Sequence, residues 1–220
     1  MMLLLPCLLL VILRYVFDGT EKVVFDQIGP LLLGIFPLVL MFIVTSIVTL
    51  RERKIGTLDR LMTMPISKLD LVFGYALAFT LIAILQALLA AGTVLGLLGV
   101  TVMSGALSVF IAAAAAGFLG TTLGLFVSAF ANSEFQAVQF MPAIIFPQLL
   151  TCGLFVARDH MARILQWFAD ITPLTYSVDA MKQVTTQTAW TATLTRDLLV
   201  VLGYGIAALV LGAATIRRQD

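Results

Sequence analysis

The sequence predicts an all-α integral membrane protein with six transmembrane helices, and two observations carry this prediction. Of the 220 residues, 61% are hydrophobic and only 11% are charged, a balance far from that of a soluble globular domain. In addition, several tracts contain no charged residue and are long enough to cross the ~30 Å hydrocarbon core as helices. These tracts are residues 28–50, 71–133, 135–157 and 198–216.

The number of spans follows from the lengths of these tracts. Residues 71–133 would extend about 95 Å as one helix, so the tract must turn once, around Gly99, Ser104 and Gly105. Residues 3–17 form a further apolar run, read as a short or truncated transmembrane helix. A cleaved signal peptide is the alternative, although no basic segment precedes the run. The predicted spans are 3–17, 28–50, 71–98, 105–130, 136–156 and 196–216.

The distribution of cations predicts the orientation, because cytoplasmic flanks carry the excess of Lys and Arg. The loop after the second span and the C-terminus are cationic, so both are expected in the cytoplasm, as is the N-terminus, since the number of spans is even. The protein is then a multi-pass protein of the cell (inner or plasma) membrane. The cations are Arg51, Arg53, Lys54, Arg60, Lys68, Arg217 and Arg218.

The long segment 157–195 faces the opposite side in this topology. Apolar residues recur at helical spacing through HMARILQWFAD, which predicts an amphipathic helix with Trp167 at the level of the headgroups. Thr172-Pro173 breaks it, and a second run puts Leu174, Val178 and Met181 on one face. We expect an outer amphipathic helical hairpin that dips into the outer leaflet; a plain amphipathic loop is the alternative.

Glycine and proline mark two further features of the predicted spans. The pairs Gly92/Gly96 and Gly120/Gly124 have the spacing that lets membrane helices approach closely. Pro142 and Pro147 interrupt the fifth span, where each removes a backbone donor and predicts a kink.

Residues 51–70 form an ordered cationic segment. Gly56 is expected to end the second span, and Thr57 can cap a short helix from Leu58 to Met64 that Pro65 terminates. Ser67 and Asp70 have the spacing of a capping box that starts the third span. The segment is either a solvated positive-inside loop or a preformed cytoplasmic helix.

The string RERKIGTLDRLMTMPIS decides between these because it resembles the cytoplasmic loop of type-2 ABC exporter permeases, in the same place after the second span. The matching residues are Arg51, Glu52, Arg53, Gly56, Thr57, Leu58, Asp59, Arg60, Leu61, Pro65 and Ser67. A second string, ITPLTYSVDAMKQV, is similar to an outer-face pattern of that family, with Thr172 where Asn is commoner.

This resemblance implies a half-transporter that dimerises with a second permease copy, the same or different, and couples to cytoplasmic ABC ATPase subunits. The segment 51–70 would carry the cytoplasmic coupling helix, with its apolar side in a groove of the ATPase. The residues of the string from Arg51 to Pro65 would then be the coupling residues. The family usually begins with a cytoplasmic amphipathic helix, so the start of this sequence reads as truncated or misassigned.

No catalytic or metal-binding residues are predicted in the chain. The sequence has no G-x-x-x-x-G-K-[ST] phosphate loop, so ATP and Mg²⁺ are expected on the partner ATPase and no cofactor on this chain. His160 is the only histidine, and Cys7 and Cys152 lie in separate apolar tracts. A net charge of +1 gives no reason to expect a nucleic-acid partner.

The expected function is export of a hydrophobic or amphipathic substrate, such as a drug, an antibiotic or a lipid-like molecule. The alternatives are an ion-coupled secondary carrier of hydrophobic compounds, which normally needs an intramembrane carboxylate, and a membrane scaffold or enzyme. Side chains in the second and fifth spans are candidates for the substrate path, with ordinary helix packing as the alternative. They are Phe36, Phe42, Gln139, Phe146 and Gln148.

Overall fold

The computed structural model describes residues 2–17, 22–56, 67–100 and 102–215, and within these ranges it contains helices and no strand. The predicted all-helical class is therefore confirmed. The α-helices of these ranges are α1 (Leu5–Val16), α2 (Lys22–Leu32), α3 (Phe36–Ile55), α4 (Lys68–Gly92), α5 (Ala106–Ser128), α6 (Glu134–Thr151), α7 (Arg163–Ile171), α8 (Pro173–Thr186) and α9 (Ala192–Thr215).

Four helical runs in the described ranges are long and apolar enough to cross a membrane, and they match the second, third, fourth and sixth predicted spans. The helix α1 has only 12 residues. The helix α6 has 18 residues but includes three glutamines and two prolines, which dilute its apolar character. The count of six spans therefore stays a prediction. The four runs are Ile28–Ile55, Asp70–Leu97, Ala106–Ser128 and Ala192–Thr215.

The turn predicted inside the longest apolar tract is confirmed. The helix α4 continues through a wide π turn, Thr93–Leu97, and α5 begins at Ala106. Gly99 and Gly105 have φ angles of +64° and +88°, which side-chain-bearing residues rarely adopt. The two glycines thus let the chain reverse between antiparallel helices.

The centre of the molecule is the close packing of α5 against α3. A Cβ atom added at Gly120 would lie 2.1 Å from the Leu38 carbonyl oxygen, and one added at Gly124 would lie 2.6 Å from that of Phe42. The predicted close approach is confirmed for this pair. Gly92 and Gly96, by contrast, have no described atom within 4 Å of the added Cβ, so α4 does not use its pair within this chain.

The helix α8 differs from the predicted surface hairpin. The break at Thr172-Pro173 is present, but α8 is packed against α2, α5, α6 and α9 instead of lying on the surface. Thr175, Ser177 and Ala180 are buried beside the larger residues because small side chains on the weakly polar face let neighbouring helices approach. Of the two helices in the predicted hairpin, α7 has the exposed apolar face that is expected of an interfacial helix, and Ile164 and Trp167 are among its exposed residues.

The helices define two opposite ends. At the charged end, the C-termini of α3, α5 and α9 meet the N-termini of α4 and α6, and Arg53, Leu71, Ala129 and Gly212 line one small cavity there. At the hairpin end, the Ser177 hydroxyl donates to the Gly34 carbonyl at 2.9 Å. The placement of the charged end in the cytoplasm stays a prediction.

Candidate functional site

The last turn of α3 carries the first three residues of the family-like string, and each contacts another part of this chain. The Arg51 guanidinium donates two hydrogen bonds to the Glu134 carboxylate, both at 3.1 Å, at the first residue of α6. This fork-to-fork geometry fixes the relative direction of the two side chains. Arg51 holds the pKa of Glu134 below its ordinary value, so the pair is charged at neutral pH.

Arg53 caps the end of α5. Its guanidinium donates to the carbonyl of Ala129 at 3.0 Å and also to that of Ala131. Both carbonyls lie just past the last turn of α5, where backbone acceptors have no partner within the helix and a cation is favoured by the helix dipole. Arg53 therefore joins α3 to the turn between α5 and α6.

Glu52 completes the set by accepting a hydrogen bond from the Tyr75 hydroxyl on α4. Through three consecutive residues, the end of α3 is bonded to α4, to the α5–α6 turn and to the start of α6. We call Arg51, Glu52 and Arg53 with these partners the brace. Sequence reasoning found the three residues, but the partners Tyr75 and Glu134 are distant in sequence and carried no local signal.

The brace lies at the base of the cationic segment. Gly56 ends α3 in the left-handed conformation, with a φ of +80°, as expected. The capping box at the start of α4 is also confirmed, because the Ser67 hydroxyl accepts from the Asp70 amide at 3.1 Å and Asp70 accepts from the Ser67 amide. The remaining predicted coupling residues lie outside the described residues: Thr57, Leu58, Asp59, Arg60, Leu61 and Pro65.

The candidate path residues fall into two groups. Phe42 is fully buried under the backbone of Gly124, and Gln148 is buried with its side chain bonded to Ile144 and Leu174. Phe36 is partly buried against the core. Gln139 and Phe146 lie on the exposed face of α6. The structure does not bring the five together, and their role in a path stays a prediction.

A second polar cluster, at the hairpin end, was not expected from the sequence. Asp197 is near the start of α9, and its side chain is only 1% exposed. One carboxylate oxygen accepts from the Arg196 guanidinium at 2.8 and 3.0 Å, and the other accepts from the Gln183 amide at 2.7 Å. Thr191 in turn donates to Gln183 at 2.7 Å. Both carboxylate oxygens of this buried acid therefore accept hydrogen bonds.

Arg158 is held in a similar way beside this cluster. Its guanidinium donates to Asp179 on α8 at 2.5 Å, and Asp179 is largely buried. Burial raises the pKa of the Asp179 carboxyl, and the charge of Arg158 opposes that shift. Two arginines at the hairpin end are thus each oriented by an aspartate in the protein interior.

Several described helices are long and apolar enough to cross a membrane, which places the chain in the class of multi-pass membrane proteins. The chain belongs to the ABC-2 type transporter family, whose model it matches over residues 1–185. Members of this family are transport membrane subunits that are generally not catalytic themselves. The structure agrees, because the described helices include several long enough to cross a membrane.

Two curated relatives show similarity over part of their lengths. The chain is 26% identical over 141 residues to ABC transporter G family member 20 of Dictyostelium discoideum, covering 64% of this chain and 19% of that protein. It is 26% identical over 160 residues to the probable multidrug ABC transporter permease YbhR of Escherichia coli strain K12, covering 70% of this chain and 42% of that protein. The chain therefore spans less than half the length of either relative.

Proposed function

We propose that this chain forms the transmembrane pathway of an ATP-driven exporter and that a separate ABC ATPase subunit binds the segment 57–66. Membership of the ABC-2 family supports an ATPase partner, and the similarity to a probable multidrug permease of Escherichia coli supports a drug-like cargo. The cargo is hydrophobic or amphipathic. ATP and Mg²⁺ bind to the partner.

The brace is the observation that carries this proposal. Both ends of the segment 57–66 are fixed, by the cap at Gly56 and by the capping box at Ser67. A displacement of the segment therefore moves the end of α3, and the bonds of Arg51, Glu52 and Arg53 pass that displacement to three other helices. In this proposal the three residues act by transmitting motion, while the segment itself makes the contact with the ATPase.

The exposed face of α6 is the surface we assign to the second permease copy. Gln139 is exposed among the large apolar residues Phe135, Val138, Phe146 and Leu150. A side-chain amide that faces lipid has no hydrogen-bond partner, which is costly at membrane depth. A second copy or an aqueous path would supply one. Cysteine substitution at Gln139 is expected to give a disulfide-linked dimer, and the absence of cross-linking in a folded sample would contradict this surface.

The docking assignment is tested by substitution in the segment. Asp59→Lys reverses a charge in the predicted coupling helix, and Gly56→Ala strains the left-handed cap although nothing lies within 4 Å of the added Cβ. We expect both variants to co-purify with less of the partner ABC ATPase. Lys54→Gln, an exposed substitution on α3, is the matched control. Unchanged co-purification of Asp59→Lys would contradict docking at this segment.

The energy source is tested in vesicles that contain the full-length protein and this ATPase. Efflux of a hydrophobic dye is expected to stop when ATP is removed and to survive a protonophore. The reverse pattern would show an ion-coupled carrier and would overturn the proposal.

A further inference from the structure

The hairpin end contains a polar cavity of about 460 Å³ that the coupling proposal leaves without a role. Its lining comes from the short 3₁₀ segment Arg158–His160 and from α7, α8 and α9. One lining residue, Val200, is apolar and the others are charged or polar. They are Arg158, Asp159, Gln166, Asp170, Tyr176 and Arg196.

The two arginines of this cavity are preorganised. Arg196 is bonded through two of its nitrogens to Asp197, whose side chain is 1% exposed, while the guanidinium itself is 63% exposed. Arg158 is anchored through one nitrogen by Asp179, whose side chain is 19% exposed. A guanidinium held by a buried carboxylate loses little entropy when its remaining N–H groups bind a planar or tetrahedral anion.

The same cavity also presents groups that suit a cation. Asp170 is 64% exposed, and its nearest cationic nitrogen, on Arg158, is 3.7 Å from the carboxylate, too far for a hydrogen bond. Asp159 is an exposed lining residue, and the aromatic residue Tyr176, whose hydroxyl donates to the Asp170 carbonyl, also lines the cavity. Carboxylates and an aromatic face are the usual environment of an organic ammonium group.

The helix α7 places an apolar surface beside these charges. Gln166 and Asp170 line the cavity, whereas Ile164, Trp167 and Ile171 are exposed on other sides of the same helix. An amphipathic helix of this kind lies at the boundary between headgroups and acyl chains. A ligand with a polar head in the cavity can therefore keep its apolar tail in the bilayer.

We propose that this cavity binds the zwitterionic head of an amphipathic molecule, with its phosphate on Arg158 and Arg196 and its amine on Asp159, Asp170 and Tyr176. The molecule is either a membrane phospholipid or a cargo with the same two groups. Binding of the head group does not depend on ATP, whereas a role of the cavity in export rests on the proposed function.

The test uses three soluble probes that share an octyl tail and differ only in the head: octylphosphocholine, octyltrimethylammonium and octyl sulfate. Binding to the full-length protein in nanodiscs is measured by equilibrium dialysis against empty nanodiscs. We expect octylphosphocholine to bind at least about tenfold more tightly than either singly charged probe, because a hydrogen bond to a charged group contributes about 1.5–3 kcal/mol. Equal binding of the three probes, or tightest binding of octyltrimethylammonium, would overturn the proposal.

Two variants assign the two halves of the head group. Asp170→Asn is expected to weaken octylphosphocholine about tenfold and to leave octyl sulfate unchanged, because it removes the acceptor for the amine. Arg196→Lys retains a charge beside Asp197 but loses the forked donor, so it should weaken octylphosphocholine and octyl sulfate and spare octyltrimethylammonium. Arg163→Gln, an exposed cation outside the lining, is the control. If both variants elute as folded protein and bind all probes like the wild type, the assignment is wrong.

A phospholipid and a transported cargo are distinguished by a second measurement. If the site holds a resident lipid, phosphatidylethanolamine should co-purify with the wild type and be reduced in Asp170→Asn. If it holds cargo, the same variant should lower the export of an alkylphosphocholine while the co-purified lipid is unchanged. If Asp170→Asn changes neither lipid nor export, the cavity does not bind such a head group in the membrane.

Discussion

The charged end and the hairpin end both contain ion pairs, but the pairs differ in exposure. At the charged end, the Arg51 and Glu134 side chains are 61% and 48% exposed. At the hairpin end, the Arg196 side chain is 63% exposed but the Asp197 side chain is only 1% exposed, and both of its carboxylate oxygens accept hydrogen bonds. Exposed pairs contribute little to stability, whereas breaking a buried pair leaves an uncompensated group. The buried Asp197 therefore stabilises the hairpin end. The exposed Arg51–Glu134 pair contributes little stability, and we infer that its main effect is to link α3 to α6.

The largest expected effect comes from removing the buried carboxylate of Asp197. Asp197→Ala removes the hydrogen bonds that this charged group accepts from Arg196 and Gln183, and we expect a loss of about 3 kcal/mol in the free energy of unfolding. Asp159→Ala, which removes an exposed acid nearby, is the control and should change it by less than about 0.5 kcal/mol. SDS titration in mixed micelles measures both. If Asp197→Ala and Asp159→Ala are equally stable, the buried Asp197 does not stabilise the hairpin end more than an exposed acid does.

The next effect concerns the helix pair that joins the two ends. Gly120→Ala places a methyl group 2.1 Å from the Leu38 carbonyl oxygen, so α3 and α5 must separate. We expect about 2 kcal/mol of destabilisation, as for other overpacked interiors. Gly92→Ala adds the same group where nothing lies within 4 Å and should be neutral or slightly stabilising. If thermal unfolding in detergent gives the same midpoint for both variants, α3 and α5 do not pack this closely.

The smallest effect is the pH dependence of the Arg51–Glu134 pair. The pKa of Glu134 is lowered in the folded state, so the stability from this pair is present above the ordinary pKa of a glutamate and is lost as the pH falls through the lowered value. The difference in unfolding midpoint between wild type and Glu134→Gln should shrink between neutral and strongly acidic pH. Because both side chains are exposed, we expect a minor change compared with Asp197→Ala. If the difference in unfolding midpoint grows at acidic pH, Arg51 and Glu134 do not form a stabilising ion pair.

Several local features of the fold could be predicted from the sequence. Gly56, the Ser67–Asp70 capping box, the turn at Gly99 and the break at Thr172-Pro173 depend on a few neighbouring residues, and the structure confirms each one. Backbone conformation and capping are local properties, so short strings contain the necessary information.

The features that the sequence did not predict depend on tertiary packing. Arg51 and Glu134 are 83 positions apart, and no local pattern links them. Asp197 lies two residues inside the sixth predicted span, where its position near a membrane end suggests exposure, yet α8 covers it. The two glycine pairs have identical spacing, but among the described residues Gly120/Gly124 packs against another helix and Gly92/Gly96 does not.

We infer that the brace transmits motion within this chain and does not itself bind the ATPase. Arg53→Gln tests it most directly, because Arg53 is half-buried against the carbonyls of Ala129 and Ala131. The measurement is co-purification of the partner ATPase together with the stimulation of its turnover by the reconstituted permease. We expect Arg53→Gln to co-purify with a normal amount of the ATPase but to stimulate its turnover much less than the wild type does. Loss of co-purification in a folded variant, or normal stimulation, would contradict it.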